Sequence, residues 1–198
     1  MDTRMNEPAD WAATTDWTGH LIEQIDWHWT NQLRPRLDGL TDDEYFWQPT
    51  PGAWTVHRRG EGATDLDAGS GDFTIDWAFP EPEPAPVTTI SWRLGHVIVG
   101  VLGARVHGHF GGPAADYLTW PYSGTAAGAL AQLDEGYAAW LAGVRSWQGL
   151  ALLEPCGPAE GGWGGAPRLT LVLHINRELI HHGAEISLLR DLWVHRND

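Results

Sequence analysis

The chain has 198 residues, of which 42% are hydrophobic and 19% are charged, and its formal net charge at pH 7 is −14. This length and balance are typical of a globular protein with one core, so we expect residues 1–198 to form a single domain. The strong negative charge argues against nucleic acid and anionic membrane surfaces as partners.

The first predicted helix lies in the segment "DWTGHLIEQIDWHWTNQLRPRL". Its apolar residues recur at helical spacing from Trp17 to Trp29. Thr15 or Asp16 is the predicted N-cap, and Pro35 marks the end of the helix. A short turn, "TDDEYFW", follows, and Thr41 with Glu44 has the spacing of a capping box there.

Residues 48–87 have a different composition from the rest of the chain. They contain six prolines, several glycines and two short β-like pieces, "AWTVH" and "FTIDWAF". This pattern predicts a long irregular connection with at most one small hairpin.

Three further helices are predicted after this connection. They are "TTISWRLGHVIVGVLGARVHGHF" with Thr88 as its cap, "TAAGALAQLDEGYAAWLAGVRSW", and a last helix at about residues 168–193. Four helices of this length, with one long crossover between the first and the second, predict an all-α fold, a four-helix bundle.

The last helix carries polar residues within an otherwise apolar pattern. At about 100° per residue, His182 falls inside the apolar arc and Glu178 on its edge, while His174 and His181 lie further toward solvent. Glu178 and His182 are one turn apart, so their side chains share one face. Because buried polar groups need partners, this pair is either part of a metal site or a Glu–His hydrogen bond without a metal.

A third ligand has to come from another helix, and His96 is the best candidate. It lies in the most apolar helix, where a histidine can also be a satisfied core residue. Trp92, Gly100 and Gly103 share its face, and a glycine inside a helix costs about 1 kcal/mol. The two glycines therefore indicate that space is needed beside His96. Three protein ligands would leave metal positions open for water or substrate.

These residues also carry a resemblance to a known family. The pattern "WRLGHVIVG" followed by "LHINRELIHHGAEISLLRDLW" resembles the DinB-like superfamily of four-helix-bundle metalloproteins. The His/Glu/His set is similar to the N-terminal domain of mycothiol-dependent maleylpyruvate isomerases. The resemblance implies His96, Glu178 and His182 as metal ligands, the same set that the helix geometry selects.

The resemblance also implies a function. Characterised relatives use low-molecular-weight thiols such as mycothiol, and a divalent metal, often zinc or nickel, activates the thiol. We therefore expect a metal-dependent thiol S-transferase or isomerase that acts on a small-molecule thiol and an electrophilic substrate. Related bundles often pair, which implies a homodimer. The alternative is a non-enzymatic bundle that binds metal or senses a ligand.

Other polar residues leave alternatives open. His20 or His28, on the first helix, could supply a fourth ligand. Glu185 lies near the ligand face and either orients a histidine from behind or forms a salt bridge with Arg177 or Arg190.

Cysteine usage and the terminal sequence bear on location. Cys156 is the only cysteine, so no internal disulfide can form, and its Gly/Pro-rich loop favours a bystander over a nucleophile. The N-terminus lacks the charged-then-apolar order of a signal peptide. The longest apolar stretch is too short to cross a bilayer. We expect a soluble, cytoplasmic protein.

Overall fold

The structure is a computed structural model that describes residues 15–197; residues 1–14 and 198 of the predicted domain lie outside the described residues. Within this range the fold is mostly helical and includes a small three-stranded antiparallel sheet. The predicted helical fold is therefore confirmed in part, and the connection between the first two long helices, where a small hairpin was expected, holds a sheet.

Helix α1 begins as Trp17–His28, continues through a π-helical segment at Trp29–Leu33 and ends with Arg34–Arg36. Asp16 is its N-cap, because its carboxylate accepts a hydrogen bond from the Gly19 N–H at 2.8 Å. The predicted cap and helical spacing are thus present.

A single helical turn, α2, follows at Asp42–Tyr45. Thr41 caps it by accepting a hydrogen bond from the Glu44 N–H at 3.2 Å. The Glu44 side chain pairs with Arg190, whose Nε lies 2.6 Å from Glu44 Oε1. Glu44 therefore links α2 to the C-terminal helix. The other hydrogen bond of a capping box, from the Thr41 N–H to the Glu44 carboxylate, is not among the hydrogen bonds of the described residues.

The connection at 48–87 holds strands β1, Val56–Arg58, β2, Leu66–Ala68, and β3, Phe73–Trp77, in the spatial order β1-β3-β2. The two predicted β-like pieces contain β1 and β3, which pair antiparallel with Val56 opposite Ile75. Strand β2 was not predicted, because it is three residues long and its sequence "LDA" has no β-branched or aromatic residue. The hairpin expected here is therefore a three-stranded sheet.

Helix α3 is continuous and consists of Ile90–His96, a π-helical segment at Val97–Gly103, and Ala104–Phe110. Thr89 caps it by accepting a hydrogen bond from the Trp92 N–H at 3.2 Å. The predicted cap, Thr88, instead forms an isolated β-bridge with Trp54. Helix α3 ends at Gly111, whose φ of 71° is the left-handed conformation common at helix ends.

The remaining long helices are α4, Ala126–Ser146, and α5, Arg168–Val194, with short 3₁₀ segments at Gly149–Leu153 and Pro158–Trp163 between them. Apolar residues of α1, α3, α4, α5 and the sheet form one buried cluster. Within residues 15–197, none of the helices combines the length and apolar character that a membrane span requires.

Candidate metal centre

The packing of α3 against α5 brings His96 and His182 into contact. Their Nε2 atoms are 3.1 Å apart, and the two rings meet edge to face at 84°. His182 is buried and His96 is partly buried. Two nitrogens bound to one tetrahedral zinc ion lie about 3.3 Å apart, given metal–nitrogen bonds of 2.0–2.1 Å. The separation of the two imidazoles therefore fits a shared ion.

Glu178 lies one turn before His182 on α5, and its Oε2 is 3.5 Å from His182 Nε2. Its other oxygen, Oε1, accepts hydrogen bonds from Arg177 at 3.2 and 3.1 Å and lies 3.3 Å from His174 Nδ1. The distance of 3.5 Å is longer than an ordinary N–H···O hydrogen bond. The neighbours of Oε1 thus anchor the carboxylate while Oε2 faces His182.

The second nitrogen of each central histidine already has a partner. His182 Nδ1 lies 2.7 Å from Glu185 Oε2, and His96 Nδ1 lies 2.6 Å from the Tyr117 hydroxyl. Metal-binding histidines usually make such a contact on the nitrogen that does not bind the ion. In both residues the nitrogen left for an ion is Nε2.

The surroundings set the charge of these groups. Burial, together with the charges of His182 and Arg93, lowers the pKa of His96 to about 4, so its imidazole is neutral near pH 7. Burial raises the pKa of Glu178, but the hydrogen bond from Arg177 and the neighbouring histidines outweigh that effect and lower its pKa overall. The site therefore offers neutral imidazole and ionised carboxylate, the forms that bind divalent metals.

A second group of potential ligands overlaps the first. His181, His182 and Glu185 offer ligand atoms that all lie within 4.8 Å of one another. These three residues come from little more than one turn of α5, and the His181 side chain is 63% exposed. The first group joins two helices and includes no residue as exposed as His181. However, its three ligand atoms do not all lie within 4.8 Å of one another, because Glu178 and His96 each contact His182 from different sides. His182 lies between both groups, with Nε2 toward His96 and Nδ1 toward Glu185.

Comparison with known protein families identifies the family of this chain. Residues 72–186, more than half of the chain, match the family model of the DinB superfamily. The chain belongs to the DinB superfamily. The matched region runs from the sheet into α5 and contains His96, Glu178 and His182. No match was found among curated proteins or among solved structures.

In this DinB chain, the space beside His96 is filled by the protein itself. A Cβ atom on Gly100 would lie 1.9 Å from the Tyr117 hydroxyl, and one on Gly103 would lie 2.7 Å from the Ala115 Cβ. The two glycines were predicted to provide space near the metal. The glycines do leave space, and Tyr117 and Ala115 of the connection between α3 and α4 occupy that space.

Glu185 takes one of the two roles that the sequence left open. Its Oε2 contacts His182 Nδ1 and lies 3.3 Å from Arg93 Nη1. Arg177 and Arg190 pair with other carboxylates. Glu185 therefore orients the His182 ring through the nitrogen that faces away from His96.

Each first-helix histidine has a polar partner on Nδ1, and the buried Nε2 of His28 makes no hydrogen bond to any of the described residues. His20 is exposed and lies 3.8 Å from Glu23, and His28 Nδ1 lies 2.8 Å from Gln32 Oε1. Cys156 is buried, and burial raises the pKa of its thiol, which favours the protonated form over the thiolate.

Spacing within α3 placed Trp92 on the face of His96, but no pattern in the sequence pointed to Tyr117. Trp92 stacks on the His96 ring with centroids 5.7 Å apart, and the Tyr117 ring packs 4.5 Å from that of Trp77. Tyr117 lies in a connection without periodicity. Gly100, one turn after His96, was the indirect signal, because a glycine inside a helix often marks close approach of another group.

Proposed function

We propose that this DinB protein binds one divalent metal ion through His96, Glu178 and His182 and uses it in thiol chemistry. The reaction is S-transfer or isomerisation with a small-molecule thiol, such as mycothiol, and an electrophilic substrate. The observation that carries the proposal is the 3.1 Å separation of the two Nε2 atoms, with each Nδ1 held by another residue. Membership of the DinB superfamily, whose members commonly bind metal, supports it.

The donor set favours zinc or nickel. Two imidazoles and one carboxylate suit these borderline ions better than the all-oxygen surroundings that magnesium and calcium prefer. Three protein ligands also leave room for a further ligand on a four-coordinate ion. A site completed by the protein alone would be structural.

The bound ion would lower the pKa of a coordinated thiol and present a thiolate at neutral pH. The residues of the chain prepare this site in three ways. Burial keeps His96 neutral, Glu185 accepts a hydrogen bond from the His182 Nδ1–H, and Arg177 donates hydrogen bonds to the remote oxygen of Glu178. Each ligand atom is thereby available before substrate arrives.

A specific observation favours a second candidate, a non-enzymatic role. The same contacts can form a hydrogen-bond chain without metal, in which the Tyr117 hydroxyl donates to His96 Nδ1, His96 Nε2–H donates to His182 Nε2, and His182 Nδ1–H donates to a carboxylate. In this non-enzymatic role the hydrogen-bonded cluster would stabilise the packing of α3 on α5. Alternatively, a bound metal would stabilise the structure or take part in sensing, without catalysis.

Metal analysis of matched variants tests the proposal. We expect about one zinc or nickel ion per chain after loading and dialysis, with stoichiometry lost in His96→Ala and retained in His181→Ala. The reverse result would move the ion to the exposed group on α5. A wild-type chain that holds no metal would favour the hydrogen-bond chain.

Activity needs its own test. The metal-loaded protein should accelerate conjugation or isomerisation by mycothiol or another small thiol, and His96→Ala or a chelator should remove the acceleration. Full metal occupancy without acceleration across a panel of thiols and electrophiles would favour the non-enzymatic role. The homodimer stays a prediction that light scattering of the purified protein tests.

A further inference from the structure

We infer that Tyr117 is a positioning residue for the metal centre. Its hydroxyl holds the His96 ring so that Nε2 faces His182, and Gly100 is the residue that lets the hydroxyl reach the ring. This inference rests on the proposed metal function and deepens it, because it assigns a role to a residue far from the two ligand motifs.

The contact between Tyr117 and His96 is short and directional. The hydroxyl lies 2.6 Å from His96 Nδ1, and the two rings are nearly parallel at 15°. A half-turn of the His96 ring about its Cβ–Cγ bond would exchange Nδ1 with a carbon and break this hydrogen bond. The tyrosine therefore selects the ring orientation in which Nε2 points at His182.

A hydroxyl suits this position chemically. When Nε2 binds a metal, the single proton of neutral His96 is on Nδ1. The Tyr117 oxygen then accepts a hydrogen bond from the Nδ1–H. Without metal, the Tyr117 O–H donates to Nδ1 and the proton moves to Nε2. A hydroxyl can both donate and accept, whereas a carboxylate can only accept. Tyr117 thus keeps the His96 ring in one orientation in both states.

Tyr117 is itself held from two sides. Its ring packs against Trp77, with centroids 4.5 Å apart, and its backbone carbonyl accepts a hydrogen bond from the Tyr122 hydroxyl at 3.1 Å. The sheet and the connection between α3 and α4 therefore fix the tyrosine before any metal binds.

Gly100 provides the access. It lies in the π-helical segment Val97–Gly103, and a Cβ there would be 1.9 Å from the Tyr117 hydroxyl oxygen and 2.8 Å from the adjacent ring carbon, Cζ. An ordinary residue at this position would displace the ring. A glycine inside a helix is unfavourable by about 1 kcal/mol relative to alanine, and the tyrosine contact explains its presence.

The first test compares two tyrosines that each lose one hydroxyl. Tyr117→Phe should weaken zinc binding by about 10- to 100-fold, the usual effect of removing a partner behind a metal-binding histidine. Tyr137→Phe is the matched control, because its hydroxyl bonds Asp26 at 3.0 Å and its ring stacks on Trp29. Competition with a chromophoric chelator measures the affinity, and the visible spectrum of the cobalt-loaded protein reports the coordination.

The second test couples Tyr117 to Gly100. Gly100→Ala should weaken zinc binding to a similar extent, although alanine is the better helix former. In the Tyr117→Phe background the same alanine should add little further loss of zinc affinity, because the hydrogen bond to His96 is already absent, although its Cβ would still displace the phenyl ring.

Three results would overturn the inference, and they separate it from the proposed function. Zinc affinity of Tyr117→Phe within twofold of wild type, with a wild-type cobalt spectrum, would remove the role of Tyr117 while the metal site stands. Fully additive losses in the double variant would remove the role of Gly100. A wild-type chain that binds no metal would refute the proposed function and this inference together.

Discussion

Two histidine–carboxylate pairs in this molecule, each with a buried histidine, have similar distances and different surroundings. In the sheet, His57 Nε2 lies 3.3 Å from Asp76 Oδ1. On α5, His182 Nε2 lies 3.5 Å from Glu178 Oε2. Distance and histidine burial alone do not tell which pair belongs to a site.

The partners of each carboxylate make the distinction. Asp76 is fully enclosed and accepts hydrogen bonds from the Thr55 N–H at 2.9 Å and the Ala63 N–H at 2.9 Å. Both of its oxygens therefore have donors within the fold. Glu178 accepts hydrogen bonds only on Oε1 among the described residues, and its Oε2 faces a histidine whose Nε2 faces His96.

This difference assigns the two pairs to different roles. In the sheet pair both carboxylate oxygens of Asp76 accept hydrogen bonds from the backbone, whereas the buried His57 Nε2 makes no hydrogen bond within the described part of the chain and only lies against Asp76. The helix pair lies beside His96, so that two nitrogen atoms and one oxygen atom follow one another along His182, and we propose that this group binds a cation. Accounting for hydrogen-bond partners is more informative here than counting histidines.

The largest effect that separates the two pairs is on stability. Asp76→Ala should lower the free energy of unfolding by about 3–5 kcal/mol, because it leaves the buried His57 and the Thr55 and Ala63 N–H donors without their carboxylate partner. Urea unfolding of the chelator-treated protein measures this. The folded variant should keep about one metal ion per chain, and loss of the metal with unchanged stability would reverse the two roles.

The pH dependence of the metal-free protein should follow His96. Its folded pKa is lowered to about 4, chiefly by burial, whereas the unfolded value is about 6.5. The unfolded chain therefore binds a proton that the folded chain does not, and stability falls as the pH drops through this window. We expect a loss of about 2 kcal/mol between pH 7 and pH 5 from this residue.

The control for this prediction is His96→Gln, which removes the titrating group. Its unfolding free energy in the presence of chelator should depend less on pH than that of the wild type. Equal slopes in the two proteins would show that His96 does not carry the effect.

A smaller effect, on zinc affinity, should follow from removing the carboxylate that contacts His182 Nδ1. Glu185→Ala removes the carboxylate on Nδ1 and should weaken zinc binding at least about tenfold. Glu154→Ala is the matched control, because Glu154 pairs with Arg168 and its side chain is 60% exposed. Equal affinities of these two variants would place Glu185 outside the metal centre.

Local patterns in the sequence predicted much of the fold. The helices follow from apolar spacing, and the same spacing separated buried His182 from exposed His181. One polar residue of α5 departs from the single apolar arc. Asn176 is buried, and its amide donates to the Leu21 carbonyl at 2.9 Å, because α5 also packs on α1.

Contacts between distant segments were harder to predict. Strand β2 exists because it pairs with β3, and its three residues have no pattern of their own. The meeting of His96 with His182 depends on how α3 and α5 cross, which spacing within one helix cannot give. We predicted that meeting from the ligand chemistry of the residues and from the family resemblance. Neither of these pointed to Tyr117.

The position of the ion tests the central claim most directly. Anomalous diffraction at the zinc edge, from crystals of the zinc-loaded protein, locates the metal without reference to any variant. We expect one peak with His96 Nε2, His182 Nε2 and Glu178 Oε2 each about 2.0–2.2 Å away. A peak bound by His181 and Glu185, or no peak at full zinc loading, would contradict the account.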